Sequence, residues 1–407
     1  MPLFPIMKKI IFIIAFAVVF QFPFSYGNFY GGIEGILEQI TPESMEEYIQ
    51  ALQDFGPRVT GSVACREAAE YIEAEFEEYG LIVREDNWTY HGYEDINIEA
   101  TLVGENTSSD EIYIVCAHYD SVPGSPGADD DGSGVAAVLA AAKVLSKYKF
   151  EHTIRFITFS GEEQGLLGSR EYAKEAYENG DNIVAVLNAD MIGYTETNEG
   201  KTHVIIEETT SSSWITDIAI NASEEYADEI ELEIVREPSY PYSDHASFLQ
   251  YGFDAIFFFE YEFNDYYHSS EDTIDKMDLD YAARITRLIV ATLIELAEIK
   301  EGDYEKPVVK IEKPYGHLYI NNREIISLPS TVIIGKIEIE AYAFDNESGI
   351  DSVEFYIDGR MVARDEQQPY QWLWDKRALL LHKIGVKAYD KAGNEGYDEI
   401  KVWIFNL

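Results

Sequence analysis

Four short apolar runs, each separated from the next by a stretch of helical periodicity, constrain this chain more than any other feature. They are Glu111–Ala117 (EIYIVCA), Thr153–Ser160, Ile183–Ala189 (IVAVLNA) and Ala255–Phe259 (AIFFF). Their length is that of strands, and their apolar character is that of strands covered on both faces. Gly134–Tyr148, Ser169–Tyr177, Ser212–Glu225 and Leu279–Ile299 carry the helical patterns. The alternation predicts an α/β fold, with a mostly parallel mixed sheet sandwiched by helices. Two more helices are predicted ahead of it. Thr41–Phe55 has Thr41 as cap and Pro42 in its first turn, and Ala64–Tyr79 stops at Gly80.

The period changes after Glu301–Lys306 (EGDYEK), a polar linker. Ile337 and Ile339, then Val353, Phe355 and Ile357, then Ile384, Val386 and Ala388, then Val402 and Ile404 alternate with period two. Turn sequences such as Asp358-Gly359 separate these runs, so a C-terminal all-β sandwich over 307–407 is expected. The α/β domain is placed at 28–300 and the linker at 301–306. Residues 1–27 read as a signal peptide. Lys8 and Lys9 precede eleven apolar residues, Ile10–Phe20, and small residues Ser25 and Gly27 flank a cut before Asn28. This predicts a secreted protein, or a membrane-anchored one if the segment stays uncleaved.

Composition narrows the partners. With 75 acidic and 30 basic residues the formal net charge is −45, which repels phosphate backbones and argues against nucleic acid. Only Cys65 and Cys116 are present, too few for a disulfide framework or a cysteine zinc site. Cys116 lies in an apolar run and reads as a buried thiol; pairing between the two is left open.

Five short segments place metal-type ligands just after an apolar strand or in a loop facing one. His118 and Asp120 lie in AHYDS, Asp129, Asp130 and Asp131 in PGADDDGSG, Glu162 and Glu163 in GEEQGLLGS, Asp190 in NADMIGY, and His268 in YYHSSEDT. Parallel strands end on one edge of their sheet, so these groups are expected to converge there. Imidazoles with carboxylates suit zinc, and without a cation so many carboxylates would repel one another.

Taken together, HYDS, GADDDGSG, GEEQGLLGS, NADMIG and YHSSEDT resemble the two-zinc aminopeptidase family, which includes bacterial leucyl aminopeptidase and aminopeptidase Y. The resemblance covers roughly residues 40 to 300 and takes in SDHASFLQYGF, with Asp244 and His245. It implies two zinc ions per chain. His118 and Asp190 would bind one, Glu163 and His268 the other, and Asp130 would bridge them. It also implies a cis peptide after Asp130, Asp120 orienting His118, and Glu162 as the general base and acid for a water held between the metals. Tyr267, beside His268, would donate to the oxyanion. The implied substrates are peptides with a free α-amino end, recognised beside Glu162 and Asp190.

Met191, Ile192, Tyr194, Phe248 and Tyr251 are candidates to line a pocket for a large hydrophobic first residue. A carboxypeptidase or other amidohydrolase on the same scaffold is the alternative. It needs basic residues near the site, and Arg155 and Arg170 are the nearest in sequence. A receptor-like, non-catalytic ectodomain would be expected to have lost ligands, and none of the six side chains is missing. SGIDSVEFYIDG and VKAYDKAGNEG resemble bacterial Ig-like accessory domains. In that domain Tyr370, Trp372, Trp374 and Trp403 are candidates for a face that contacts polymer or cell surface, and Asp345, Asp351 and Asp390 for calcium ligands.

Overall fold

The computed structural model describes residues 32–407 apart from 301, 303, 305 and 347. The signal-peptide reading falls outside the described residues. Three helices come first: α1 (Ile33–Leu37), α2 (Pro42–Asp54) and α3 (Val63–Glu78). Thr41 caps α2 in a reciprocal box with Ser44, whose N–H donates to Thr41 Oγ1 at 3.2 Å.

An eight-stranded sheet follows, built from β1 (Ile82–Tyr90), β2 (Tyr93–Leu102), β3 (Glu111–His118), β4 (Thr153–Phe159), β5 (Asn182–Ala189), β6 (His203–Glu208), β7 (Glu233–Pro238) and β8 (Ala255–Glu260). Its order is β1-β2-β4-β3-β5-β8-β6-β7. The four runs singled out from sequence are β3, β4, β5 and β8. They form one continuous parallel block at the centre. The flanking strands add three antiparallel pairings, β1 to β2, β2 to β4 and β6 to β8.

Neighbouring residues of each central strand point to opposite layers, as the pleat requires. Val115 and Ala117 of β3 join the larger core, whereas Ile114 and Cys116 join a smaller one. The larger core is covered by α2, α3, α4 (Gly132–Leu145), α6 (Ser213–Glu225) and α9 (Leu279–Ala297), with short α7 (Ala227–Ile230) at its margin. The smaller is covered by α5 (Leu167–Asn179) and α8 (His245–Gln250). Every residue of α4 except Lys143 is buried, as befits a helix that is apolar all round. Cys65 and Cys116 are both buried and free, which settles the pairing left open by the sequence.

Beyond residue 307 the chain forms a sandwich. One sheet has seven strands and the other three: β9 (Val308–Lys313), β13 (Ile337–Phe344) and β16 (Tyr370–Trp374). The larger is ordered β11-β10-β12-β18-β17-β14-β15. It comprises β10 (His317–Ile320), β11 (Arg323–Ser327), β12 (Thr331–Ile334), β14 (Ile350–Ile357), β15 (Arg360–Asp365), β17 (Ala378–Asp390) and β18 (Glu395–Asn406). The alternating residues read from sequence, such as Ile337, Ile339, Val353 and Val402, fill the space between the sheets.

Candidate metal centre

The carboxyl ends of the central strands carry the candidate ligands to one place. His118 is the last residue of β3, and Asp190 follows β5 directly. Glu162 and Glu163 lie three and four residues beyond β4, the Asp129–Asp131 turn leads into α4, and His268 sits in the loop after β8. His118 Nε2 lies 3.3 Å from Asp130 Oδ1 and 3.6 Å from Asp190 Oδ1. On the other side, His268 Nε2 lies 3.2 Å from Asp130 Oδ2 and 3.1 Å from Glu163 Oε2. The result is two groups of three, His118–Asp130–Asp190 and Asp130–Glu163–His268, each compact enough to hold one ion and sharing Asp130. Glu162 Oε2 stands 3.9 Å from His118 Nε2, beside the groups and in neither.

The three consecutive aspartates have three different jobs. Asp129 accepts from the Gly193 N–H at 2.9 Å and from Asn264 Nδ2 at 2.7 Å, which joins the loops after β5 and β8. Asp130 faces the two imidazoles. Asp131 caps α4 by accepting from Gly134 N–H at 2.8 Å, and also accepts from the His118 N–H at 3.1 Å and the Met191 N–H at 3.3 Å. One buried carboxylate therefore ties the ends of β3 and β5 to a helix N-terminus. At Gly134 a Cβ would come within 2.3 Å of the Ala189 carbonyl oxygen, so only glycine admits this approach. The Asp130–Asp131 peptide is cis, as the family resemblance implied.

Further groups hold the ligands from behind, and sequence reasoning missed them. Ser243 donates to Asp190 Oδ2 at 2.6 Å and accepts from Asn188 Nδ2 at 2.7 Å. Asp272 accepts from the N–H groups of Asp129 at 2.9 Å and Asp130 at 3.3 Å. Arg58, fully buried, donates to the carbonyls of Tyr119, Pro126 and Gly127 and so shapes the loop between His118 and Asp130. Asp272 lies within the YHSSEDT motif, so its acidic residue two places before Ile274 was the available signal. Ser243 likewise opens the SDHASFLQYGF segment, whereas Arg58 gave no signal.

The electrostatics fit a cation. Two imidazoles and three carboxylates converge, a nitrogen and oxygen set that suits zinc. Burial, with Asp190, Asp244 and Asp120 nearby, pushes Glu162 well above the usual carboxylate range, and the His118 ring opposes this only in part. Burial and the adjacent Asp130 push Glu163 up to about 8, and its Oε1 has no hydrogen-bond partner. Against the cost of burial, His118 and His268 hold Asp130 down at about 2. Buried carboxyls crowded against one another are what a divalent cation at the same place relieves.

The other candidates from the sequence lie as follows, and several of them need correction. Ile192 packs in the larger core and Phe248 in the smaller, so neither faces the cluster. Tyr251 packs on the smaller core and against Tyr177. Met191 is buried, its N–H held by Asp131, and Tyr194 is buried against Tyr266. Tyr267 stacks on the His268 ring, with centroids 3.7 Å apart, and the carboxylates of the cluster bear on its hydroxyl. Arg155 is taken up by Asp181 and Tyr172, and Arg170 lies over Tyr90. In the sandwich Tyr370 and Trp374 are buried in its core and Trp372 packs on them, so these three do not share a face with exposed Trp403. Asp390 accepts from Gly393 and Asn394 N–H, Asp345 from Gly349 N–H, and Asp351 pairs with Arg364. They form no ligand cluster among the described residues.

A mixed sheet whose parallel centre gathers two imidazoles and four carboxylates at its carboxyl edge defines an α/β scaffold built around a candidate metal site. The sequence profile of "Peptidase family M28" matches residues 97–293, and that of "Bacterial Ig domain" matches residues 326–402. Leucine aminopeptidase 1 of Sclerotinia sclerotiorum is 30% identical over 292 residues, covering 64% of this chain and 73% of the relative. A probable leucine aminopeptidase of Arthroderma otae is 36% identical over 228 residues, covering 51% of this chain and 59% of its own length. The LapA aminopeptidase of Legionella pneumophila superposes with a TM-score of 0.59 at 25% identity, covering 65% of this chain and 74% of that one. The chain belongs to peptidase family M28 and carries a bacterial Ig domain after the peptidase fold.

Proposed function

We propose that this protein is a two-zinc aminopeptidase that removes N-terminal residues from peptides. The observation that carries the reading is the pair of three-residue groups joined through Asp130, with Glu162 beside them and outside both. His118 and Asp190 would hold one zinc, Glu163 and His268 the other, and Asp130 would touch both. Bound there, two zinc ions supply Lewis acidity toward a peptide carbonyl and toward water.

Glu162 takes a proton from the attacking water and delivers it to the leaving amine. Its environment suits that work, since burial and neighbouring carboxylates raise its proton affinity well above that of an ordinary carboxylate. Tyr267, placed over His268, donates to the developing oxyanion. Glu162 and Asp190 offer negative charge to a free α-ammonium. The basic residues that would hold a C-terminal carboxylate, Arg155 and Arg170, are engaged elsewhere, which favours the amino end over the carboxyl end. Secretion remains part of this proposal on the strength of residues 1–27 alone. The Ig domain would ride with the peptidase as an accessory module.

The reading is tested with leucine p-nitroanilide and its N-acetyl counterpart. Hydrolysis of the free amine alone, abolished by chelation and restored by zinc, is expected. Equal hydrolysis of both substrates, or indifference to the chelator, would remove it.

A further inference from the structure

The outer face of the larger Ig sheet changes character partway along its strands. On β18 the outward positions Tyr397, Glu399 and Lys401 give way to Trp403 and Phe405, while Val402 and Ile404 between them are buried. On β17 the change runs in register. Lys383 pairs with Lys401, but Leu381 pairs with Trp403 and Leu379 with Phe405. The apolar rows continue onto the next strands, where Trp403 faces Val332 and Phe405 faces Ile334, and from there onto Leu318 and Ile320 of β10. Leu379, Leu381, Trp403 and Phe405 are each 41–51% exposed. Paired residues of a sheet share a face, so this is one flat apolar surface with a charged margin.

The outer face of the small sheet is a contrast in the same domain. Its exposed apolar side chains Tyr342, Phe344 and Leu373 are broken up by Glu338 and Glu340 on β13, and Lys313 pairs with Glu340. Eight large side chains, six of them 38–51% exposed, amount to roughly 600 Å² of contiguous apolar surface, at or beyond the largest patch a monomer ordinarily shows. Doubled across a two-fold axis it reaches roughly 1,200 Å², the lower bound of a stable interface.

Charge selects the occupant. Residues 307–407 hold 12 basic against 16 acidic side chains, so −4, whereas the whole chain carries −45. Two copies of the acidic peptidase region repel each other, and the nearly neutral Ig domain is where two copies can meet at least electrostatic cost. We infer that the outer face of the β10–β12–β18–β17 sheet docks against the same face of a second copy of this chain, sheet on sheet about a two-fold axis.

Sedimentation velocity of the full chain over a hundredfold range of concentration tests this. A species of twice the chain mass is expected, and Trp403→Lys combined with Leu381→Lys should weaken its dissociation constant at least a hundredfold. Tyr342→Lys on the small sheet should leave it intact. Circular dichroism and anilide hydrolysis, which none of these residues serves, report whether the variants fold. A native chain that stays monomeric throughout overturns the proposal, and so does a folded double variant that dimerises as before. The native measurement decides the matter even if the double variant fails to fold.

Discussion

The main-chain carbonyl of Asp120 lies 3.1 Å from His118 Nδ1, while the Asp120 carboxylate stands 3.6 Å from the same nitrogen and is bonded elsewhere. The carbonyl is thus the nearer acceptor for the ring N–H and fixes which nitrogen turns to the metal. The carboxylate accepts instead from Thr60 Oγ1 at 2.8 Å and from the N–H groups of Glu162 at 3.2 Å and Glu163 at 3.4 Å. Its work is to hold the loop that carries Glu162 and Glu163.

Asp120→Ala therefore keeps the His118 contact, which is backbone, and frees the Glu162–Glu163 loop. We expect kcat/KM on leucine p-nitroanilide to fall roughly 10–100-fold, the usual cost of removing a group that orients a metal ligand. The ion held by His118 and Asp190 should be retained, as measured by metal analysis. Loss of that ion would return the imidazole-orienting role to the carboxylate.

Glu162 lies outside both ligand groups, so binding and turnover should separate there. Glu162→Gln is expected to keep the full metal content and to lose roughly 10²–10⁴-fold in kcat, the range supplied by a general acid–base group. Steady-state kinetics with parallel metal analysis checks this. A variant that loses metal in proportion to activity would make Glu162 a ligand.

His245, on α8, is buried against Phe257 with Ser239 at its Nε2, and burial lowers its pKa to about 4. The folded value lies below the unfolded one of about 6.5, so the neutral ring favours the fold above pH 6.5. That contribution is lost as pH falls from about 6.5 toward 4, because the unfolded chain takes up a proton that the folded chain refuses. The loss amounts to on the order of 3 kcal/mol. The difference in urea stability between wild type and His245→Gln should shrink over this interval. A difference constant from pH 7 to pH 4.5 would mean that the ring takes up its proton alike in the folded and unfolded chains.

The candidate site was legible because this scaffold places its candidate ligands just after strands that the sequence marks clearly. The runs of β3, β4, β5 and β8 are covered on both faces, so they read as plain apolar segments, and the residues following them met as expected. Strands β1, β2, β6 and β7 were not anticipated. They lie toward the sheet margins, and IVREDNWTY or EIVREP mixes exposed charge with a few inward residues, which blurs the period. Candidate pocket residues failed for a related reason. Ile192 and Phe248 lie close to ligands in sequence, but each is turned into a core layer, and nearness along the chain does not fix side-chain direction. Arg58 acts on carbonyls more than 50 residues away in the chain, for which a single sequence holds no pattern.

The central claim is that one carboxylate, Asp130, belongs to two metal sites at once. Metal stoichiometry across three variants tests it most directly. The native chain should bind two zinc ions, Asp190→Ala and His268→Ala should each retain one, and Asp130→Ala should retain less than one. An Asp130→Ala protein that folds and still binds two ions, or a native protein that saturates at one, would contradict the shared centre.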